Sequence, residues 1–121
     1  MSLKAISNPE AVATLYDDPQ ILDKAFLHGL ELSPNDPIVK LFIRLEAAPT
    51  RIPKRWGNSS RTILETQVVD VKHLHLSAWN PIQPTALKIA RAEDGLISIV
   101  AQDGSLDITC GWIYVAQIHP L

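Results

Sequence analysis

A single cysteine, Cys110, is the only thiol in the chain, so no intrachain disulfide can brace the fold and a reducing compartment suits it. No apolar run approaches the roughly 18 uninterrupted residues that mark a membrane-spanning helix. The opening Met1-Ser2-Leu3-Lys4 leads into no apolar block, so no secretory signal is read and a cytoplasmic location is expected. Five scattered glycines form no phosphate-binding loop. Charge is sparse too, at 20% of 121 residues, against 46% apolar, which is too hydrophobic for a disordered chain. A net charge of −2 and a pI of about 6.0 fit neither a nucleic-acid binder nor a membrane-surface protein. What is left is one domain spanning 1–121, large enough to bury roughly two-thirds of its unfolded surface around one core.

Prolines organise that domain. All nine fall between candidate elements, as expected if those elements are ladders that proline would rob of a donor. The one helix signal lies at about 8–16. Ser7 or Asn8 can cap it, Pro9 suits its first turn and Glu10 completes a capping box, while Val12, Leu15 and Tyr16 share a face. Asp17-Asp18-Pro19 ends it.

Strand patterns fill about 22–119. The run 25–33 places Phe26, His28, Leu30 and Leu32 on one face, and after the turn at Pro34-Asn35-Asp36-Pro37 the run 38–47 points Val39, Leu41, Ile43 and Leu45 inward. A loop over 48–60 leads to a strand at 62–71. The next strand has Leu74, Leu76 and Ala78 inside and His73, His75 and Ser77 outside, and ends at Trp79-Asn80-Pro81. Runs at 87–92, 96–101 and 106–118 are separated by Asp94-Gly95 and Asp103-Gly104, both strong hairpin signals. Alternation along the last run sets Leu106, Ile108, Cys110, Trp112 and Tyr114 on one side, with Ile113 and Val115 opposed, and predicts that Trp112 packs in the core. A strand apolar on both sides is either central or covered by a second copy in a homodimer, and the central position is the simpler account. The pattern predicts a mainly β (α+β) fold. It is a single antiparallel sheet meander of six to seven strands, strongly bent or sandwich-like, with one short N-terminal helix.

Chemistry-bearing residues lie apart. His73 and His75 share one side of a strand at a metal-ligand spacing, yet zinc needs one or two further ligands that nothing places beside them, so no metal or other cofactor is predicted. Cys110 sits among apolar neighbours with no base at hand, and Asp17-Asp18 has no partner acid across a substrate. No catalytic residue is assigned, and the chain is expected not to be an enzyme. The charge distribution is more telling. Between Pro49 and Arg61 stand Arg51, Lys54, Arg55 and Arg61 with no acid, so this segment carries +4 and the total of −2 leaves −6 elsewhere. Trp56 sits inside it, and an Arg/Trp cluster has the composition of a protein-binding hot spot. Arg51, Lys54, Arg55, Trp56 and Arg61 are therefore the candidate partner-binding residues.

The run from Leu22-Asp23 through the hairpin 30–45 with its Asn35-Asp36-Pro37 turn, then Pro53-x-x-Trp56, resembles the immunity protein 50 family. So do Leu76-Ser77-Ala78-Trp79 and the closing Ile108-Thr109-Cys110 and Val115-Ala116-Gln117-Ile118. The resemblance covers about 100 residues. It implies a small cytosolic protein of a bacterial polymorphic-toxin system whose partner is a cognate toxin protein, and it supplies no catalytic residue. The alternatives are a small-molecule carrier or sensor on a bent sheet, with His28 and Tyr114 as lining residues, and a metal-dependent hydrolase at His73 and His75.

Overall fold

A computed structural model describes residues 5–32, 38–57, 61–77 and 85–121. The predicted turn at 34–37, Trp79 and the proline loop after it lie outside the described residues. Among the described residues the elements are a short helix α1 (Glu10–Ala13) and six strands: β1 (Ala25–Glu31), β2 (Val39–Leu45), β3 (Thr62–Leu76), β4 (Leu87–Arg91), β5 (Ile97–Ala101) and β6 (Leu106–Pro120). Two 3₁₀ turns, Ile21–Lys24 and Lys54–Trp56, complete them. All strand pairs are antiparallel, in the order β1-β2-β3-β6-β5-β4. The fold class is as expected, but the sheet is not a simple meander. Two three-stranded meanders, β1-β2-β3 and β4-β5-β6, are joined through the pairing of β3 with β6.

Both joining strands are 15 residues long, and their ribbon twists enough to curl the sheet into a half-barrel. The curl brings the two edge strands together at one point. Phe26 bridges Ala86, and the Leu27 N–H donates to the Thr85 carbonyl at 2.9 Å. Inside the curl lies one core. Leu41, Ile43, Leu45, Leu64, Ile97, Ile99, Leu106, Ile108 and Ile113 are fully buried there, each worth about 1.5–3 kcal/mol of transfer free energy. On β2 the expected inward set, Val39, Leu41, Ile43 and Leu45, is buried as predicted. The Asp-Gly hairpins also form. Gly95 and Gly104 take φ of 87° and 82°, and the aspartates accept the Leu96 and Ser105 N–H at 3.0 and 2.9 Å.

Three expectations fail for local reasons. The predicted break after 71 does not occur, because β3 runs through it on bulges. Asp70 adopts φ 58° opposite Gly111, and the register with β6 slips between Val71 and His73. Opposite Asp70, β6 also changes face at Gly111. Cys110 faces in, but beyond Gly111 it is Ile113 and Val115 that are buried, and Trp112 stands 54% exposed on the outer face. On β1 a bulge between Leu27 and Gly29 turns Ala25 and Leu27 inward. Phe26 lies outside, with the Arg44 guanidinium 5.8 Å from its ring centroid, and Leu32 is exposed.

The helix is shorter than the pattern predicts, and its cap differs. Pro9 takes the cap position with no side-chain hydrogen bond. Asn8 serves the sheet instead. Its Nδ2 donates to the Val115 carbonyl at 2.9 Å and its Oδ1 accepts the Val115 N–H at 2.8 Å. Its amide thus stands in for a peptide group on the edge that β6 exposes beyond its pairing with β5. Val12, Leu15 and Tyr16 dock as expected. The Tyr16 hydroxyl donates to the Ala47 carbonyl and accepts from the Thr62 hydroxyl, both at 2.8 Å. Burial pushes the Tyr16 pKa up, and the Thr62 hydrogen bond opposes it.

Candidate functional site

The basic segment is an ordered loop in its described part, 49–57, laid against the helical end of the molecule. Pro53 starts the Lys54–Trp56 turn and Gly57 leaves it at φ 63°, a conformation that glycine adopts without strain. Trp56 is only 8% exposed and belongs to the core cluster. Its indole supports the loop from beneath.

The four cations separate into two kinds. Arg51 is fully engaged: its Nε donates to the Thr14 carbonyl at 2.9 Å, and one Nη donates to the Ala13 carbonyl at 2.6 Å. The other Nη donates to Asp17 Oδ1 at 2.6 Å, and its backbone N–H reaches the Leu15 carbonyl at 3.1 Å. Arg51 therefore satisfies the carbonyls left open where α1 ends. Arg61 lies 3.7 Å from Glu46, which also pairs with Arg44. Lys54 and Arg55 are exposed and, among the described residues, have no carboxylate within ion-pair distance.

Beside the loop is an open cleft of about 440 Å³. Its lining mixes the apolar Leu15, Ile52, Pro53, Trp56 and Ile118 with the polar Thr14, Arg51 and Arg55. Ile52 is 45% exposed. The structure thus brings Arg51, Arg55 and Trp56 to one cleft, places Lys54 on the same turn, and sets Arg61 apart in a network with Glu46.

Other candidates have less to offer. His73 and His75 are exposed on the outer face, opposite Thr109 and Asp107, and among the described residues no three His, Cys, Asp or Glu side chains gather around a metal-sized space. Burial pushes the Cys110 thiol up to about 11, with Asp70 adding to the shift and Arg91 opposing it, so at neutral pH it is a protonated core residue. A second open cleft, about 670 Å³, lies along β4 and β5 and is lined by Asp23, Lys88, Ala90, Ser98 and Val100 among others. Neither His28 nor Tyr114 lines either cleft, and Tyr114 Oη donates to Gln67 Oε1 at 2.5 Å.

With the geometry in place, a family model described as Immunity protein 50 matches residues 8–121, nearly the whole chain. The chain belongs to the immunity protein 50 family. No curated protein and no solved structure matches it. The family match begins at Asn8, the residue that closes the β6 edge, and includes both long strands and the basic loop. Among the described residues, no helix is long and apolar enough to cross a membrane.

Two features of this immunity protein 50 member escape the sequence pattern. One is the outward Trp112, whose signal was Gly111, a lone glycine inside a strand and so a mark of a bulge. The other is the engagement of Arg51, since a helix end 34 residues away from it in Asp17 leaves no local trace.

Proposed function

We propose that this protein is a non-enzymatic binding module that neutralises a cognate bacterial toxin in the cytoplasm by holding it in a stable complex. The observation that carries this reading is the immunity protein 50 match over residues 8–121. The site chemistry agrees with it. The one thiol is buried and protonated, the two neighbouring histidines are exposed with no metal-sized cluster of ligands among the described residues, and a cation-bearing loop stands against the sheet. Arg51, Lys54, Arg55, Trp56 and Arg61 form the proposed contact region, with Trp56 as support and the cations as surface.

The size is sufficient. Neutralising a lethal enzyme calls for nanomolar affinity, about 12 kcal/mol. A standard interface of about 800 Å² per partner would cover roughly one-eighth of the 6794 Å² surface. The test is affinity capture with the tagged full chain from the cells that make it, washed at raised salt, followed by expression of the captured protein with and without this chain. One stoichiometric partner, toxic alone and harmless in the pair, is the expected result. Retention of a metal or small molecule and no toxic protein would overturn the reading.

A further inference from the structure

We propose that the cleft beside the 49–57 loop receives an acidic segment of the toxin, in which a carboxylate meets Arg55 and Lys54 while an adjoining apolar side chain enters the cleft. The inference rests on the toxin-binding reading and names the chemistry of the partner. Its basis is the split among the loop's cations. Arg51 directs its donors to α1 and Asp17, and Arg61 shares Glu46 with Arg44 outside the cleft lining, so neither is placed as a free cation at the cleft. Lys54 and Arg55 sit on one 3₁₀ turn with no acid beside them among the described residues, although the chain is net −2. Two unneutralised cations on an otherwise acidic protein form a local positive field, which is the complement of a carboxylate-bearing ligand.

The apolar part of the mixed lining favours a peptide ligand. Leu15, Ile52, Pro53, Trp56 and Ile118 reward an aliphatic or aromatic side chain and offer little to a phosphate backbone. A nucleic acid would also meet the repulsion of a chain with a pI of about 6.0. Arg51 is a positioning residue here, since it ties the loop to α1, and Arg55 and Lys54 are the contact residues.

The test measures association of the captured toxin with the full chain and with the double reversal Lys54→Glu/Arg55→Glu. Lys88→Glu, on β4, is a control for charge reversal at a distant site, with half the charge change of the double variant. Both targeted side chains are exposed and have no ion-pair partner among the described residues, so the thermal midpoint should not move. The double reversal should slow association about tenfold or more at low ionic strength, with the gap narrowing as salt rises, and Lys88→Glu should do neither. A photo-crosslinking residue at position 52 should label a toxin peptide carrying Asp or Glu beside an apolar residue.

Unchanged association, or a crosslinked peptide without an acid, overturns the proposal and leaves the toxin-binding reading standing. Failure to capture any toxin overturns both. A fluorescein-labelled uridine 12-mer that binds the wild-type chain, loses affinity on the double reversal and leaves toxin association unaffected would assign the cations to nucleic acid instead.

Discussion

Trp56 and Trp112 occupy opposite environments from those their positions in the chain suggest. Trp56 lies in a charged, proline-rich loop and is 8% exposed, whereas Trp112 lies in the central strand of an apolar sheet and is 54% exposed. Loop and strand are descriptions of the backbone. Burial is decided by which way each indole is turned, and one unusual residue turns each of them. Gly57 lets the loop leave its 3₁₀ turn at positive φ with Trp56 folded beneath, while β6 changes face just before Trp112, at Gly111, against Asp70 at positive φ. The loop is thus anchored by its aromatic residue and exposes its cations. The strand shows its aromatic residue to solvent and keeps its aliphatic residues inside.

The largest effect should come from removing the anchor. Trp56→Ala leaves a cavity beneath the loop and should cost about 3–5 kcal/mol, read as a lower urea midpoint at constant slope. A cost below about 1 kcal/mol would mean that the loop is held by its hydrogen bonds and that the indole is incidental.

The bulge is next. A β-carbon at Gly111 would lie 2.8 Å from Asp70 Oδ2, closer than such atoms tolerate, and a tight 3.1 Å from its Cβ. Gly111→Ala should therefore destabilise by about 1–3 kcal/mol. Asp70→Gly removes the clashing side chain and also relieves the positive φ, so adding it to Gly111→Ala should restore most of the loss. Failure of the pair to recover would show that close backbone approach, not the Asp70 side chain, requires glycine at 111.

A smaller effect separates the two kinds of loop cation. Arg51→Ala removes three side-chain hydrogen bonds at a half-exposed position and should cost about 1 kcal/mol, whereas Arg55→Ala should leave stability within about 0.5 kcal/mol. Equal costs would erase the distinction between positioning and contact residues. The same end of the molecule carries a pH signature. Tyr16 titrates above its ordinary value because burial disfavours its charged form, with the Thr62 hydrogen bond opposing the shift. Its contribution is complete below the unfolded tyrosine pKa and is lost as pH rises through the folded one. Alkaline stability should fall less steeply in Tyr16→Phe than in the wild type.

Period-two patterns were legible wherever the ladder is regular. The inward set of β2, the Asp-Gly hairpins and the central place of β6 all follow from alternation and turn chemistry. The register shifts at Leu27/Gly29, Glu65/Thr66 and Val71/His73, and the change of face at Gly111 opposite Asp70, were not, because each inserts or reorients a residue and later side chains then change face. Topology was hidden for a different reason. Nothing local tells β6 to pair with β3, 30 residues before it in the ladder between Leu76 and Leu106, in preference to starting a new edge. For the site, the sequence located the charge cluster, but which cations are already spent depends on Ala13, Thr14, Asp17 and Glu46, contacts made only by the folded chain.

The smallest expected effect is the sharpest test of the comparison. Trp112 is half exposed and lies opposite Val69 on the outer face, so Trp112→Ala forfeits a cross-strand pair and little core packing. Such a pair contributes about 0.2–1 kcal/mol, several times less than the cost expected for Trp56. A cost comparable to that of Trp56→Ala would place Trp112 in the core after all and remove the phase reversal at Gly111. Binding adds a second axis to the same variant. If the 49–57 loop is the contact region, Trp112→Ala leaves toxin affinity unchanged. A loss of about tenfold or more, with stability intact, would show that the outer face of the β3–β6 ribbon shares the interface, since an exposed aromatic that contributes little to folding is free to contribute to binding.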